Sequence, residues 1–200
     1  MKSEIQKCLD GDIFNTSDAE IQLLIQRSRA LTKEYNSTAG ADNTRKQQIL
    51  SELFGSIGSN VNIDTPFFCD YGKHTYIGNN VIININCTFV DCNKIEIGNN
   101  VLIASNVQIY TATHSPDTNE RLVADWEERL GIPYFRTYAL PVKIEDNVWI
   151  GGGVIILPGV TIGKNSVIGA GSIVTRSVPE NSVAFGNPCR VVRKVKGINS

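Results

Sequence analysis

The stretch from Ile144 to Pro179, IEDNVWIGGGVIILPGVTIGKNSVIGAGSIVTRSVP, divides into six consecutive hexads. Each hexad begins with isoleucine or valine, at positions 144, 150, 156, 162, 168 and 174, and glycine occupies the second place in three of them. A six-residue period matches neither an α-helix nor a long strand, whose periods are about 3.6 and 2 residues. It is typical of short strands joined by tight turns, with one aliphatic side chain pointing inwards on each face of a prism.

The same pattern occurs earlier in the chain, as IGNNVI (77–82), IGNNVL (97–102) and IASNVQ (103–108). Ile83, Phe89 and Ile95 continue the first of these registers, before a two-residue slip to Ile97. Glycine and asparagine suit the turns because they tolerate positive φ at low cost. An ordinary β-sandwich would have turns about every 8–12 residues and no fixed phase. The repeats therefore predict an all-β fold, a triangular parallel β-helix.

Two amphipathic stretches precede the repeats. Ser17 and Asp18 come before a segment whose predicted helix has one face formed by Ile21, Leu24, Ile25, Ser28 and Leu31. Thr44 can cap a second helix, whose apolar side is formed by Ile49, Leu50, Leu53 and Phe54. We therefore expect residues 1–56 to form a small N-terminal helical subdomain on the base of the prism. Residues 57–180 would form the β-helix, and residues 181–200 a basic C-terminal tail.

The composition of the 200-residue chain excludes several functional classes. The net charge is −1, with 19 basic and 20 acidic residues, so neither nucleic acid nor a membrane is an expected partner. The N-terminus contains no apolar run typical of a signal peptide, which favours a cytoplasmic protein. Five cysteines without a CxxC pair indicate reduced thiols. With only two histidines, the chain lacks the three-histidine metal site of a β-helical lyase, so no metal is expected.

One long segment, from Thr113 to Ala139, has no hexad phase. Loops of this length in compact domains are usually functional. His114 lies at the beginning of this loop, next to the rigid repeats. Because imidazole titrates near neutral pH, a histidine here could take a proton from an alcohol. The alternative is an ordinary solvated side chain.

The motifs together resemble one known family. The resemblance runs from PFFCDYGKHTYIGNN (66–80), through NINCTFVDCNKIEIGNNVLIASNVQIYTATHSPD (84–117), to the segment 141–193 that ends in GNPCRVVR. These segments resemble the maltose/galactoside/nodulation O-acetyltransferases, which are hexapeptide-repeat acyltransferases, and residues 11–36 resemble that family's helical cap. The resemblance implies a homotrimer of left-handed β-helices with active sites between subunits. It also implies acetyl transfer from acetyl-CoA to a primary sugar hydroxyl.

The resemblance also implies roles for individual residues. His114 falls on the family's general base, which would let the hydroxyl attack the thioester directly in a ternary complex. Asn84 falls on a residue linked to transition-state stabilisation and acceptor binding, and Asp70 falls on an acceptor-contacting position. Trp149 would lie beside the cofactor or the acceptor, although core filling is equally compatible with the sequence.

The cofactor residues implied by the resemblance lie mainly in the C-terminal half. Gly152 falls where a backbone N–H contacts the thioester region of the cofactor. Ala170 falls on a position that lines the family's cofactor cleft. The remaining positions would contact coenzyme A near its adenosine end, and they are Thr175, Arg176, Arg190 and Arg193. Guanidinium groups suit the phosphates of this cofactor.

The chain departs from the family at the acceptor site. Cys92, preceded by Asp91, stands where some members have a carboxylate, and Thr16 stands where some have an acceptor-binding aspartate. Both Asp91 and Cys92 remain candidate acceptor contacts, while the identity of the acceptor stays open. One alternative is an O-acetyltransferase acting on an antibiotic or other xenobiotic. Another is a non-catalytic β-helix scaffold, which would be expected to lose His114 or the basic tail.

Overall fold

The computed structural model describes residues 2–40 and 42–196 and begins with helices. Helix α1 spans Glu4–Asp10, α2 spans Ala19–Ser37 and α3 spans Asn43–Leu53. Asp18 caps α2 as predicted, and its carboxylate accepts from the Glu20 N–H. The predicted cap of the next helix is wrong. Asp42, not Thr44, accepts from the Arg45 N–H, because α3 begins two residues earlier than the sequence pattern suggested.

After these helices, the chain winds around the three faces of a prism. It forms a left-handed parallel β-helix, as the resemblance implied. The first face contains β1 (Ser56–Ile57), β4 (Thr75–Ile77), β7 (Ile95–Ile97), β12 (Val142–Ile144) and β15 (Thr161–Ile162). The second contains β2 (Val61–Ile63), β5 (Val81–Ile83), β8 (Leu102–Ile103), β13 (Trp149–Ile150), β16 (Val167–Ile168), β18 (Ser182–Phe185) and β19 (Arg190–Lys194). The third contains β3 (Phe67–Cys69), β6 (Cys87–Val90), β9 (Gln108–Tyr110), β14 (Ile155–Ile156) and β17 (Ile173–Val174).

The coils have two lengths. In the lower coils, which are nearer the helical base, Ile82 lies beside Leu102, a spacing of 20 residues. In the upper coils, towards the C-terminus, Ile155 lies beside Ile173, a spacing of 18 residues. The two additional residues of each lower coil lie in the turn from the third face to the first, where the sequence slips from Ile95 to Ile97. We call this turn the long-turn edge of the prism.

The core is the column of inward side chains. The first residues of the six C-terminal hexads, at positions 144, 150, 156, 162, 168 and 174, are all 0% exposed. Burying each of these aliphatic side chains contributes about 1.5–3 kcal/mol to the free energy of folding. The predicted apolar side of α3 closes the base of the same cluster, and the Tyr35 hydroxyl of α2 donates to the Ile63 carbonyl.

A ladder of asparagines supports the turn between the first and second faces. Each asparagine has positive φ and donates through its side-chain amide to the next, at 2.7–3.0 Å, in the order Asn60, Asn80, Asn100, Asn147, Asn165 and Asn181. Asparagine meets both requirements, because its short polar side chain tolerates the left-handed region and can bond locally. We call these six residues the asparagine ladder.

The β-helix extends past position 180, which the sequence pattern predicted as its last residue before the basic tail. β18 pairs in parallel with β16, and β19 then returns antiparallel to β18. The repeat of aliphatic residues ends here, but the small Ser182 and Ala184 still point inwards and are fully buried. Of the predicted 181–200 segment, residues 197–200 lie outside the described residues, as do Met1 and Ala41 of the predicted cap.

The segment that interrupts the repeats leaves from the long-turn edge as an ordered arm, residues 114–137. Strands β10 (Ala112–Thr113) and β11 (Tyr138–Ala139) pair antiparallel at its base. The arm contains the short helix α4 (Thr118–Arg121) and a 3-10 turn at Glu128–Leu130. Among residues 2–40 and 42–196, no helix is long and apolar enough to span a membrane.

Candidate active site

Most of the predicted site residues lie on two edges of the prism. Asp70, Asp91 and Cys92 belong to the long-turn edge, from which the arm bearing His114 also leaves. Asn84, Gly152 and Ala170 occupy turns between the second and third faces, which we call the glycine edge. Within one chain, His114 and Asn84 therefore stand at different corners of the triangle.

His114 begins the arm, and its ring is held from two sides. Its Nδ1 lies 2.8 Å from the Arg136 carbonyl oxygen. Since a carbonyl only accepts, Nδ1 carries the proton and the Nε2 lone pair is free to take another. The Phe135 ring packs edge-to-face at 5.3 Å between centroids. The exposed imidazole is therefore oriented in the tautomer that a general base requires.

Arg136, which the sequence analysis missed, joins the two halves of the arm. Its guanidinium donates to the carbonyls of Asn119 at 3.2 Å, Glu120 at 3.1 Å and also Leu122. Its carbonyl is the same one that accepts from His114. The side chain thus fixes the main chain that orients the imidazole.

Asp91 is buried beneath the long-turn edge, so its predicted direct contact with the acceptor is wrong. Its carboxylate accepts from the N–H groups of Asp70 at 3.1 Å and Tyr71 at 2.8 Å, and from the Thr75 hydroxyl at 2.8 Å. Complete burial raises the pKa of this carboxyl, against the opposing effect of those hydrogen bonds. Asp91 therefore shapes the turn that carries Asp70.

Asp70 and Cys92 face each other on this turn. The Cys92 Sγ lies 3.9 Å from Asp70 Oδ2, and burial raises the pKa of the thiol far above its ordinary value. Cys92 is therefore a neutral group beside Asp70, which is only partly buried. Burial and the nearby Asp91 raise the pKa of Asp70. Asp70 is thus the carboxylate of this edge that a ligand can reach.

Thr16 lies beside the arm rather than on either edge. It occupies the turn before α2, where its carbonyl accepts from Gln22 at 2.8 Å. The preceding Asn15 side chain donates to the Gly131 carbonyl of the arm at 3.3 Å, and Phe14 bridges to Thr137. The helical cap and the arm are therefore in direct contact.

The glycine edge presents backbone to solvent. The N–H of Gly151 donates to Ile168 and that of Gly153 to Ser105, at 2.8 and 2.9 Å. In the described part of the chain, the Gly152 N–H between them has no acceptor. Ala170 is exposed one coil above, where Gly171 donates to the Gly152 carbonyl at 2.8 Å. This edge offers a free N–H and a small side chain along one line.

The side chain of Trp149 is not part of the core, so the core-filling alternative is wrong. The side chain is 53% exposed on the outer surface of the second face. Leu102, its partner in the adjacent strand, and Ile82 beyond it are also exposed. These side chains form an apolar stripe of the kind that marks a binding or subunit surface.

The residues predicted to contact coenzyme A near its adenosine end divide into two groups. Thr175 and Arg176 lie on the long-turn edge after β17, whereas Arg190 and Arg193 lie on β19. All four side chains are exposed. None of the three arginines forms a salt bridge within residues 2–40 and 42–196. Three guanidinium groups are therefore available to an anionic ligand.

Two protein-family models match segments of this chain. Residues 141–176 match the bacterial transferase hexapeptide model (six repeats), and residues 7–58 match the maltose acetyltransferase hexapeptide capping motif. The chain is 41% identical over 187 residues to galactoside O-acetyltransferase of Lactococcus lactis, covering 92% of this chain and 84% of that protein.

The chain belongs to the maltose/galactoside O-acetyltransferase family.

Two solved structures support this membership across the whole length. A maltose O-acetyltransferase from Clostridium difficile 630 superposes with a TM-score of 0.89 and 44% identity, covering 98% of this chain and 99% of that one. A hexapeptide-repeat acetyltransferase from Vibrio cholerae, solved with acetyl coenzyme A, has a TM-score of 0.86 and 38% identity, covering 98% and 100%. The protein is thus an acetyl-CoA-dependent acetyltransferase of this family. Among the described residues, no cluster of three or more metal-ligating side chains is arranged to hold an ion.

Proposed function

We propose that the protein transfers an acetyl group from acetyl-CoA to a primary hydroxyl of a sugar of the glucose, maltose or galactoside type, with His114 as the general base. The observation that carries this proposal is the bond between His114 Nδ1 and the Arg136 carbonyl. It leaves Nε2 as an exposed, oriented proton acceptor. Family membership supplies the reaction class, and this geometry supplies the group that would perform it.

The proposed step is a direct attack within a ternary complex. Nε2 of His114 removes the hydroxyl proton while the alcohol oxygen forms a bond to the thioester carbonyl carbon. The resulting oxyanion collapses, the carbon–sulfur bond breaks, and the proton on His114 passes to the departing thiolate. The products are the acetyl ester and free coenzyme A. Proton transfer of this kind contributes about 10²–10⁴-fold to the rate.

The acceptor would be held by groups from two chains. Asp70 can accept hydrogen bonds from sugar hydroxyls near His114, because charged acceptors bind hydroxyls strongly. Asn84 of an adjacent chain would orient the hydroxyl or stabilise the oxyanion, since an amide N–H can donate to developing charge. This arrangement requires a homotrimer with its sites between subunits, and the exposed stripe of Ile82, Leu102 and Trp149 provides an apolar surface for such contacts.

Acetyl-CoA would lie along the glycine edge. The free N–H of Gly152 is suited to the thioester carbonyl, and exposed Ala170 leaves room for the pantetheine arm. The phosphates would reach exposed cations at the top of the prism, which are Arg190 and Arg193 on β19 and Arg176, next to Thr175, on the long-turn edge. Guanidinium groups match phosphate geometry through paired donors.

Thiol release from acetyl-CoA, measured with a panel of acceptors, tests this function. The panel contains glucose, maltose, methyl galactosides, chitin fragments, and chloramphenicol- and streptogramin-type antibiotics. We expect turnover with one or more sugars and acetylation at a primary hydroxyl, identified by mass spectrometry and NMR. Turnover with an antibiotic alone would establish the xenobiotic alternative instead. Coenzyme binding without transfer to any of these acceptors would support the non-catalytic alternative.

A further inference from the structure

An open hollow lies between helix α2 and strand β3, near the helical base of the prism. It has a volume of about 410 Å³, and its lining includes Arg29, Thr32, Lys33 and Asn36 from α2 and Phe68 and Cys69 from β3. We call it the α2 hollow. None of its lining residues is among those proposed to hold acetyl-CoA or the acceptor, so a ligand bound there would occupy a different site.

Side-chain hydrogen bonds join the two walls of the α2 hollow. The Asn36 amide donates to the Phe67 carbonyl at 2.9 Å and accepts from the Phe67 N–H at 2.9 Å. The buried Thr32 hydroxyl lies 3.7 Å from the Cys69 Sγ. Because these contacts fix β3 against α2, a ligand in the hollow would lose little affinity to ordering its walls.

Phe68 is the aromatic part of the lining. Its neighbours Phe67 and Cys69 point into the core, and the alternation of the strand turns Phe68 outwards, where it is 46% exposed. Asn36 holds the main chain immediately before it. The Phe68 ring is therefore a fixed, exposed surface against which another ring can pack.

Two cations border the same hollow. Arg29 and Lys33 are exposed and lie four residues apart on α2, so they project from the same side of the helix. Like charges at this spacing destabilise a helix. The lining of the α2 hollow contains these two positive charges and no carboxylate.

The neighbouring carboxylates do not pair with these cations. In the part of the chain that the structure describes, neither Arg29 nor Lys33 forms a salt bridge. Glu34, which follows Lys33, is paired with Arg45 instead. Burial raises the pKa of Asp70 on the long-turn edge, and the charge of Arg29 opposes this rise without forming an ion pair. The two cations are thus available to a ligand.

The charge and the ring together indicate the chemistry of that ligand. A phosphate monoester carries nearly two negative charges at neutral pH, enough to balance both cations, whereas a carboxylate carries one. Guanidinium groups also match phosphate oxygens through paired donors. A hollow of about 410 Å³ is within the range of small-molecule sites, about 300–1,000 Å³.

We infer that the α2 hollow binds a small phosphate monoester that carries an aromatic ring, with the phosphate between Arg29 and Lys33 and the ring against Phe68. This ligand is neither the acetyl donor nor the acceptor, so the inference does not depend on the proposed function.

The test is calorimetric titration of the assembled protein, loaded with coenzyme A so that the proposed cofactor cations are already occupied. The probes are phenyl phosphate and its two halves, inorganic phosphate and phenol. Because only phenyl phosphate can contact the cations and the ring together, we expect it to bind at least about tenfold more tightly than either half.

Variants assign this binding to the hollow. Arg29→Gln and Lys33→Gln should each weaken phenyl phosphate binding about tenfold. Phe68→Leu should reduce its affinity to that of inorganic phosphate, whereas Phe68→Tyr, which keeps a ring, should retain it. Lys164→Gln removes an exposed cation outside the hollow and is the matched control, with unchanged affinity.

Four results would overturn the inference. They are no binding of phenyl phosphate to the wild type, equal affinity for inorganic phosphate, binding that survives both the Arg29→Gln and the Lys33→Gln changes, and an equal loss in Lys164→Gln. Dissociation of the Phe68→Leu assembly, measured by light scattering, would also overturn it, because the hollow would then be a subunit contact. Failure of the proposed function would be seen separately, as absence of acetyl transfer to every acceptor.

Discussion

Replacing Asn147 tests the physical reason for the asparagine ladder. Asn147 has a φ of 60°, accepts from Asn100 at 3.0 Å and donates to Asn165 at 2.9 Å. Loss of the two exposed bonds costs about 0.5 kcal/mol each, at the low end of the usual range. An alanine at this left-handed position costs about 1–2 kcal/mol more. We therefore expect Asn147→Ala to lower the free energy of unfolding by about 2–3 kcal/mol.

Thermal unfolding at fixed protein concentration is the assay. For a chain of this size, the loss corresponds to a fall in Tm of about 4–12 °C. Asn147→Gly removes the bonds but accommodates the positive φ, so it should be destabilised less than Asn147→Ala. Asn43→Ala, at the first residue of α3 and outside the ladder, should change stability by less than about 0.5 kcal/mol. If the Asn147→Ala variant were as stable as the wild type, the ladder would not stabilise the turn. If it were more stable than Asn147→Gly, the positive φ would not contribute to the loss.

Substitutions at two further residues test the arm and the cofactor surface. Arg136→Ala should lower kcat about 10- to 100-fold through misplacement of His114, with the KM for acetyl-CoA unchanged. Arg136→Lys should recover part of the loss in kcat. A lower kcat together with a changed KM for acetyl-CoA and a lower thermal stability would indicate a purely structural role. Arg190→Ala should raise the KM for acetyl-CoA more than the KM for the sugar, in initial-rate measurements with each substrate varied. The opposite pattern would remove Arg190 from the cofactor site.

The repeat made the β-helix predictable from sequence, because its period fixes which side chains point inwards. Ile144 and Ile150 are fully buried as that phase requires, and the slip from Ile95 to Ile97 marks the long-turn edge. The end of the β-helix was missed, because Ser182 is polar and Ala184 is too small to continue the pattern of large aliphatic residues. Hydrophobic periodicity identifies large buried side chains, not small ones.

The site was less predictable, because its contacts join residues without a shared period. Nothing in the sequence pairs His114 with the Arg136 carbonyl, which lies 22 positions later in an aperiodic segment. The burial of Asp91 beneath Asp70 likewise depends on how one coil stacks on the next. Family resemblance indicated residues that lie mainly on the long-turn edge and the glycine edge, but only the coordinates show which of their side chains are exposed there.

The most direct test of the central claim is kcat for His114→Ala with a sugar acceptor accepted by the wild type. We expect a fall of about 10²–10⁴-fold, with the oligomeric state and the thermal stability unchanged, because the imidazole is exposed and contributes no core packing. His114→Asn, which keeps a polar group in the same place, should show a similar loss. Turnover above about a tenth of the wild-type rate would contradict the assignment of His114 as the general base.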